Sequence, residues 1–433
     1  MTGPGPFLFE NYRPRELEIV DTTLREGSQT SLLHDHYKYF FSLDDKREIL
    51  EALIVYGVKF VELFAPVVSP REREDFTALK EVRDGLITQK GYTFLLAHAR
   101  CHPADVEAAL EAGFDGLNLY FGTSPAARRF SHGVDLEEMA RRAERILEDV
   151  RKNHPGLVLR FSGEDAFRTP TGDLFRVYDR IAPYVDRLGA PDTVGVATPP
   201  LVEERVRLLR ERYPALDLEG HFHADRGFAL PNALAAAGAG MRYIDTTVLG
   251  IGERSGVTSM TALLYNLYIE GDYDRLEGYH LRGSYPINVL LADKLKMLVP
   301  AAEPVSLTNR THTAGVHQKA VLNDPSTYEA HPLDRFGVSE SEILLGPLSG
   351  WNVIHYYLGE IKGFRLSRDK AKEIAKAFKE EVYKAPPGTK PADFLVSLAE
   401  NRFGLTRLAH PEAFKDALVQ RMDAPENGTP PTK

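Results

Sequence analysis

A single cysteine, Cys101, occurs among the 433 residues. A lone thiol excludes an internal disulfide framework and suits a reducing compartment. Long hydrophobic runs are also missing. No window reaches the length of a membrane-spanning helix, and the opening MTGPGPFLFENYRPR lacks the apolar stretch of a secretory signal, so the expectation is a cytoplasmic protein. Basic excess is absent too. The formal net charge of -9 argues against a nucleic-acid partner, because backbone binding relies on clustered Lys and Arg; a local basic pocket for an anionic ligand stays open. No GxGxxG turn follows any strand candidate, which speaks against a doubly wound dinucleotide-binding sheet.

What is present is an ordinary globular composition, 43% hydrophobic and 27% charged, on a chain long enough for a barrel-sized unit and something more. Short apolar or β-branched runs recur at LEIVD (17–21), KFVELF (59–64), YTFLLA (92–97), DGLNLYFG (115–122), LVLRFS (157–162), VDRLGA (185–190), LDLEGHF (216–222) and RYIDTTVLG (242–250). Helically patterned segments such as DLEEMARRAERILEDVRKN lie between them. Eight strands alternating with helices over about 250 residues are the rhythm of a (β/α)8 TIM barrel.

The pattern changes after residue 285, giving an α/β barrel with a C-terminal, mostly helical subdomain and extension. The expected divisions are an N-terminal arm (1–16), the barrel (17–285), a linker or lid subdomain (286–360), a C-terminal helical region (361–422) and a disordered tail (423–433). LSRDKAKEIAKAFKEEVYK reads as a charged amphipathic helix, solvated on one face.

Active-site groups of such barrels come from the C-terminal ends of the strands. Polar clusters fall there repeatedly: DTTLREGSQT (21–30), RCH (100–102), RFSGED (160–165), DTVG (192–195), HFHAD (221–225) and GIGERSG (250–256). In HFHAD, positions i and i+2 of a strand share a face, so His221 and His223 point together while Phe222 faces the helices. With Glu26 from the first strand they make a divalent-metal site with open positions; the bland alternative is a hydrogen-bonded pair of core histidines. Arg25 is placed to hold a developing oxyanion, unless it only pairs with Glu26. Arg160, Ser162 and Glu164 share a face, and a guanidinium beside a hydroxyl suits a carboxylate ligand; a structural ion pair inside the barrel is the rival reading. His102 and Thr193 would add donors. Gly252, Glu253 and Arg254 form a glycine-rich turn whose amides could approach an anion, or that simply closes on itself.

Taken together, DTTLREGSQ, RCH, RFSGEDAFRT, DTVGVATP, HFHAD, DTTVLGIGERSG and THTAGVHQKAVLNDPSTYE resemble homocitrate synthase, from about residue 17 to 360. That family belongs to the barrel-type acyl-CoA condensing enzymes, with isopropylmalate synthase and Re-type citrate synthase. The resemblance implies a Claisen condensation of acetyl-CoA with a 2-oxo acid, followed by thioester hydrolysis. It makes Glu26, His221 and His223 ligands of a divalent metal (Zn, Mn, Co or Mg). Arg25 would steady the alkoxide, Gln29 would lie near the substrate, and Arg160, Ser162, Thr193, His102 and His312 would bind 2-oxoglutarate. His317 and Tyr328, with Glu164, would serve enolisation, and the turn Gly252, Glu253 and Arg254 would lie in the acetyl-CoA region. The segment carrying them reaches a neighbouring subunit's barrel in relatives, which implies a homodimer.

Four departures surround the mouth: Ala224 for the usual Asn, Ser28 for Glu, a longer loop after Gln29, and Phe-Ala in VELFAPVVSP for Thr-Ser. They keep oxaloacetate and a phosphorus-containing pyruvate analogue open as substrates. Isopropylmalate synthase fits less well, because an apolar tail leaves Arg160 and His102 without an anion. An acyl-CoA lyase of the hydroxymethylglutaryl type uses a Cys in the loop after strand eight, and GIGERSG has none. A barrel that binds a dicarboxylate without chemistry is the non-enzymatic rival.

Overall fold

The computed structural model describes residues 17–35, 39–331 and 333–407. All eight runs become strands that close, in sequence order, into one parallel barrel. They are β1 Glu18–Asp21, β2 Phe60–Phe64, β3 Phe94–Arg100, β4 Gly116–Gly122, β5 Val158–Glu164, β6 Arg187–Asp192, β7 Asp217–Phe222 and β8 Tyr243–Thr246. Each is followed by an outer helix: Leu43–Tyr56, Pro70–Lys90, Pro103–Ala112, Leu136–Asn153, Thr171–Ile181, Pro199–Arg212, Ala229–Gly238 and Met260–Ile269. Local chemistry sets the helix ends. Ser42 and Asp45 cap each other's backbone amides at the first outer helix, proline opens the helices at 70, 103 and 199, and left-handed Gly57 and Gly113 close the first and third. In Leu136–Asn153 the buried side chains Leu136, Met139, Ala140, Ala143, Leu147 and Val150 recur every three or four positions, the stripe that packs on the barrel.

Inside the barrel the two-residue period sorts side chains into tiers. Val20, Phe60, Phe94, Leu96, Val158 and Tyr243 plug the N-terminal end. One step along, the guanidinium of Arg187 lies 4.2 Å from the Phe60 ring centre and 3.5 Å from that of Tyr243, and it pairs with Glu219 at 3.2 Å. Glu62, Asn118, Arg160, Glu219 and Asp245, all buried, form a polar floor. The mouth opens above that floor.

The described residues divide into two compact units. The barrel unit runs past 285 to Ser306 and regains Leu333–Val338. The extension has a packing reason: Thr261 Oγ1 donates to Asn288 Oδ1 at 3.1 Å, and buried Phe336 meets the rings of Tyr265 and Tyr268 at 5.2 and 5.4 Å. The second unit holds a short parallel pair, β9 Thr311–His312 with β10 Glu342–Ile343, and the helices Gly315–Asn323, Trp351–Tyr356, Arg368–Glu381 and Pro391–Asn401. The expected division at 360 is not seen, because Ile354 and Leu358 share one core with Phe364, Ile374, Phe378 and Leu395. Arg368–Glu381 is the charged amphipathic helix read from sequence. The expected arm (1–16), the tail (423–433) and residues 408–422 lie outside the described residues. Among the described residues no helix is long and apolar enough to cross a membrane.

Candidate active site

Glu26 enters from the turn after β1, His221 from the end of β7 and His223 just beyond it. All three are buried, and one ligand atom from each falls within 4.8 Å of the others. The two Nε2 atoms are 3.2 Å apart, and His223 Nε2 is 4.0 Å from Glu26 Oε1. His221 Nδ1 lies 3.1 Å from Asp245 Oδ2; a proton donated there leaves its Nε2 lone pair facing the second imidazole. Protonation favours a cation as well. Burial holds both histidines down to about 4, so both are neutral at physiological pH. Burial alone would push the Glu26 carboxyl up, but Arg25, the two imidazoles and the Glu253 amide hold it at about 2. Two neutral imidazoles and a carboxylate with converging donor atoms fit a divalent ion.

The loop after β8 builds the other side of this triad. Glu253 N–H donates to Glu26 Oε1 at 2.9 Å. The turn doubles back so tightly that a Cβ on Gly256, at φ +81°, would sit 2.0 Å from the Gly250 carbonyl oxygen. Arg254 bonds Asp225 at 2.7 and 3.0 Å and the Thr193 carbonyl at 2.7 Å, stapling three loops together. Its guanidinium, though exposed, is thereby engaged by other loops of the barrel mouth, and Gly252 backs against Glu26. This turn helps to position Glu26 beside the two histidines.

Arg25 contacts the other oxygen of Glu26 through Nη1 and Glu62 Oε1 through Nε at 2.8 Å. Arg25 is therefore ion-paired, as the bland alternative had it, and it also borders the cavity. The cavity, about 170 Å³, is lined by Arg25, Glu26, Gln29, Arg160, Ser162, Glu164, Thr193, His221, His223 and Glu253, joined by His98, Tyr120 and Pro191. Arg160 reaches Glu219, and Asp245 at 3.1 Å. Burial alone would weaken its basicity, but Glu219, Asp245 and Glu62 raise it above the ordinary value. Arg160 Nε and Ser162 Oγ are buried without a hydrogen-bond partner among the described residues. Ser162 fits because β6 offers Gly189 beside it: a Cβ there would stand 1.9 Å from Ser162 Oγ. Thr193 Oγ1 accepts from the Asp165 amide at 2.9 Å. Burial, then Asp165 and Glu253, raise the Glu164 carboxyl above the usual range.

His102 is not brought into this cavity. It is the exposed N-cap of the helix Pro103–Ala112, its Nδ1 accepting from Ala104 N–H at 3.3 Å. The histidine that β3 sends into the mouth is His98, with Nδ1 3.3 Å from Glu62 Oε1. Its signal was the run of small residues around it, A-H-A, at the end of an apolar strand. Glu62, Glu219 and Asp245 also escaped the sequence reading; each is an acid buried inside a largely apolar strand run, a costly placement that itself marks a site. His312, His317 and Tyr328 belong to the second unit. His312 Nε2 lies 3.0 Å from Glu329 Oε1, and the rings of His317 and Tyr328 stack 4.0 Å apart.

Residues 16–284 match the HMGL-like family, and residues 305–385 match the homocitrate synthase post-HMGL domain-like family. The mitochondrial homocitrate synthase of Saccharomyces cerevisiae is 36% identical over 382 residues, covering 87% of this chain and 82% of the relative. Homocitrate synthase AksA of Methanocaldococcus jannaschii is 31% identical over 86% of this chain and 91% of its own. Among solved structures, the Bacillus subtilis HMG-CoA lyase superposes with a TM-score of 0.55 at 21% identity, over 67% of this chain and 97% of that one, a likeness of fold. Identity at this level across most of both chains reflects common descent, and the chain belongs to the homocitrate synthase family.

Proposed function

We propose that this protein condenses acetyl-CoA with 2-oxoglutarate and hydrolyses the thioester, releasing homocitrate and CoA. One observation carries the reading. The cavity has a converging carboxylate and two neutral imidazoles at one end, and at the other Arg160 Nε and Ser162 Oγ, buried donors without a partner among the described residues. A molecule with a 2-oxo acid head and a second carboxylate satisfies both ends. A divalent ion held by Glu26, His221 and His223 would supply Lewis-acid polarisation of the keto group. Arg25 favours the negative charge that grows on the keto oxygen. A base removes a methyl proton from acetyl-CoA and the methyl carbon bonds to the keto carbon. The keto oxygen takes up the electron pair and is protonated, and water then cleaves the C–S bond to free the thiol. His317, stacked on Tyr328, is our choice for the base, with Glu164 assisting; proton transfer of this kind contributes roughly 10²–10⁴-fold.

A homodimer, in which the segment bearing His317 and Tyr328 serves a neighbouring barrel, is part of the same proposal, and mixing Arg25→Ala with His317→Ala subunits should then restore turnover that neither shows alone. So is a cytoplasmic location, which the buried lone Cys101 supports. The main test is thiol release with acetyl-CoA, Mn²⁺ or Zn²⁺, and a panel of 2-oxo acids. The highest kcat/KM is expected with 2-oxoglutarate. Preference for 2-oxoisovalerate, with its apolar tail, refutes the anion-binding end, and no release with any acid refutes the condensation.

A further inference from the structure

We propose that Tyr120 sets how long a 2-oxo dicarboxylate this site accepts, its ring forming the end wall against which the tail of the substrate stops. The inference rests on the condensation reading above and deepens it. In the closed ring of eight strands, Glu26 and the two histidines flank β8, at the ends of β1 and β7; β4 is four strands away, halfway round. A substrate chelated at the triad therefore points its tail at β4. The inward residues of β4 are Asn118, engaged with Glu62 in the polar floor, and then Tyr120, one tier higher in the mouth; Phe121 packs against the helical layer.

Tyr120 is braced. Its ring stacks on His98 at 4.6 Å and 16°, and His98 lies 3.3 Å from the Glu62 carboxylate. In register it stands beside Ser162 of β5, next to one of the two partnerless donors. A large, supported ring beside the anion-binding donors fixes the distance between head and tail carboxylates. A smaller side chain there opens space in line with the substrate, whereas changes at the metal end do not.

Steady-state thiol release with oxaloacetate, 2-oxoglutarate and 2-oxoadipate, each one methylene longer, tests this. For the native protein, kcat/KM should fall by about tenfold or more from 2-oxoglutarate to 2-oxoadipate, the discrimination one methylene allows. Tyr120→Leu should raise the 2-oxoadipate to 2-oxoglutarate ratio by at least about tenfold through KM for the acid, leaving KM for acetyl-CoA in place. Tyr120→Phe, equal in length of ring but without the hydroxyl, should keep the native ratio. An unchanged ratio in Tyr120→Leu overturns the proposal, as does a Tyr120→Phe shift of equal size. Native protein that handles 2-oxoglutarate and 2-oxoadipate alike overturns it too, whether or not the leucine variant folds. Calorimetric titration of the same diacids into Mn²⁺-loaded protein separates the two readings. If nothing is turned over, the condensation falls, and the Kd series alone then decides for or against Tyr120.

Discussion

Asp245 Oδ2 meets His221 Nδ1 and Arg160 Nη1, each at 3.1 Å. One buried carboxylate thus orients both an imidazole of the Glu26–His221–His223 group and the Arg160 guanidinium, the two ends of the proposed substrate site.

If that carboxylate fixes the imidazole, Asp245→Asn weakens metal binding by about 10–100-fold, the usual effect of losing such a support. Competition with a fluorescent chelator measures it. Unaltered Mn²⁺ and Zn²⁺ affinity would remove Asp245 from the site.

In the proposed condensation Arg25 steadies the oxyanion. Arg25→Ala is expected to lower kcat by about 10²–10³-fold, as deletion of an oxyanion donor does, with a smaller change in KM for the 2-oxo acid. An effect confined to KM would make Arg25 a binding residue only.

Arg187 and Glu219 pair inside the barrel, with Arg187 lying over two aromatic rings. Arg187→Met removes one of the two guanidinium partners of buried Glu219, the other being Arg160, so it should cost about 1.5–3 kcal/mol, read from urea unfolding. The double change with Glu219→Gln should cost less than the sum of the two single changes, because the pair is then already broken. Additive destabilisation by the two changes would show that the pair is not coupled.

Asp21 gives a pH test. Burial pushes its carboxyl up from 3.8 to about 7, against the opposing pull of the Thr23 amide and hydroxyl bonds at 2.9 and 3.0 Å. The folded state therefore keeps a proton that the unfolded state has lost. No effect exists below pH 3.8; the penalty grows as pH rises from there to about 7, then levels off, at a size on the order of 4 kcal/mol. Native protein should lose stability relative to Asp21→Asn across that window. A pH-independent difference between the two urea midpoints would contradict the assigned burial cost.

The eight strands were legible because their apolar runs are bounded by helical patterning, and each run became a strand with ends displaced by a few residues. The displacement mattered once. Ending the third strand at Ala97 hid His98, one position on, and turned attention to His102, which the Pro103 helix claims as its cap. HFHAD was readable because an i, i+2 pair on a strand must share a face whatever surrounds it.

Chain chemistry thus settled the alternation of strand and helix, the pairing of His221 with His223, and the placing of Arg25 and Glu26 at a strand end, since these depend on near neighbours. Ring closure alone brought Glu26 beside two imidazoles some 200 positions later, set Asp245 between His221 and Arg160, and put Tyr120 across from them. Such contacts join separate strands, and their distances follow from barrel geometry, which no local pattern encodes.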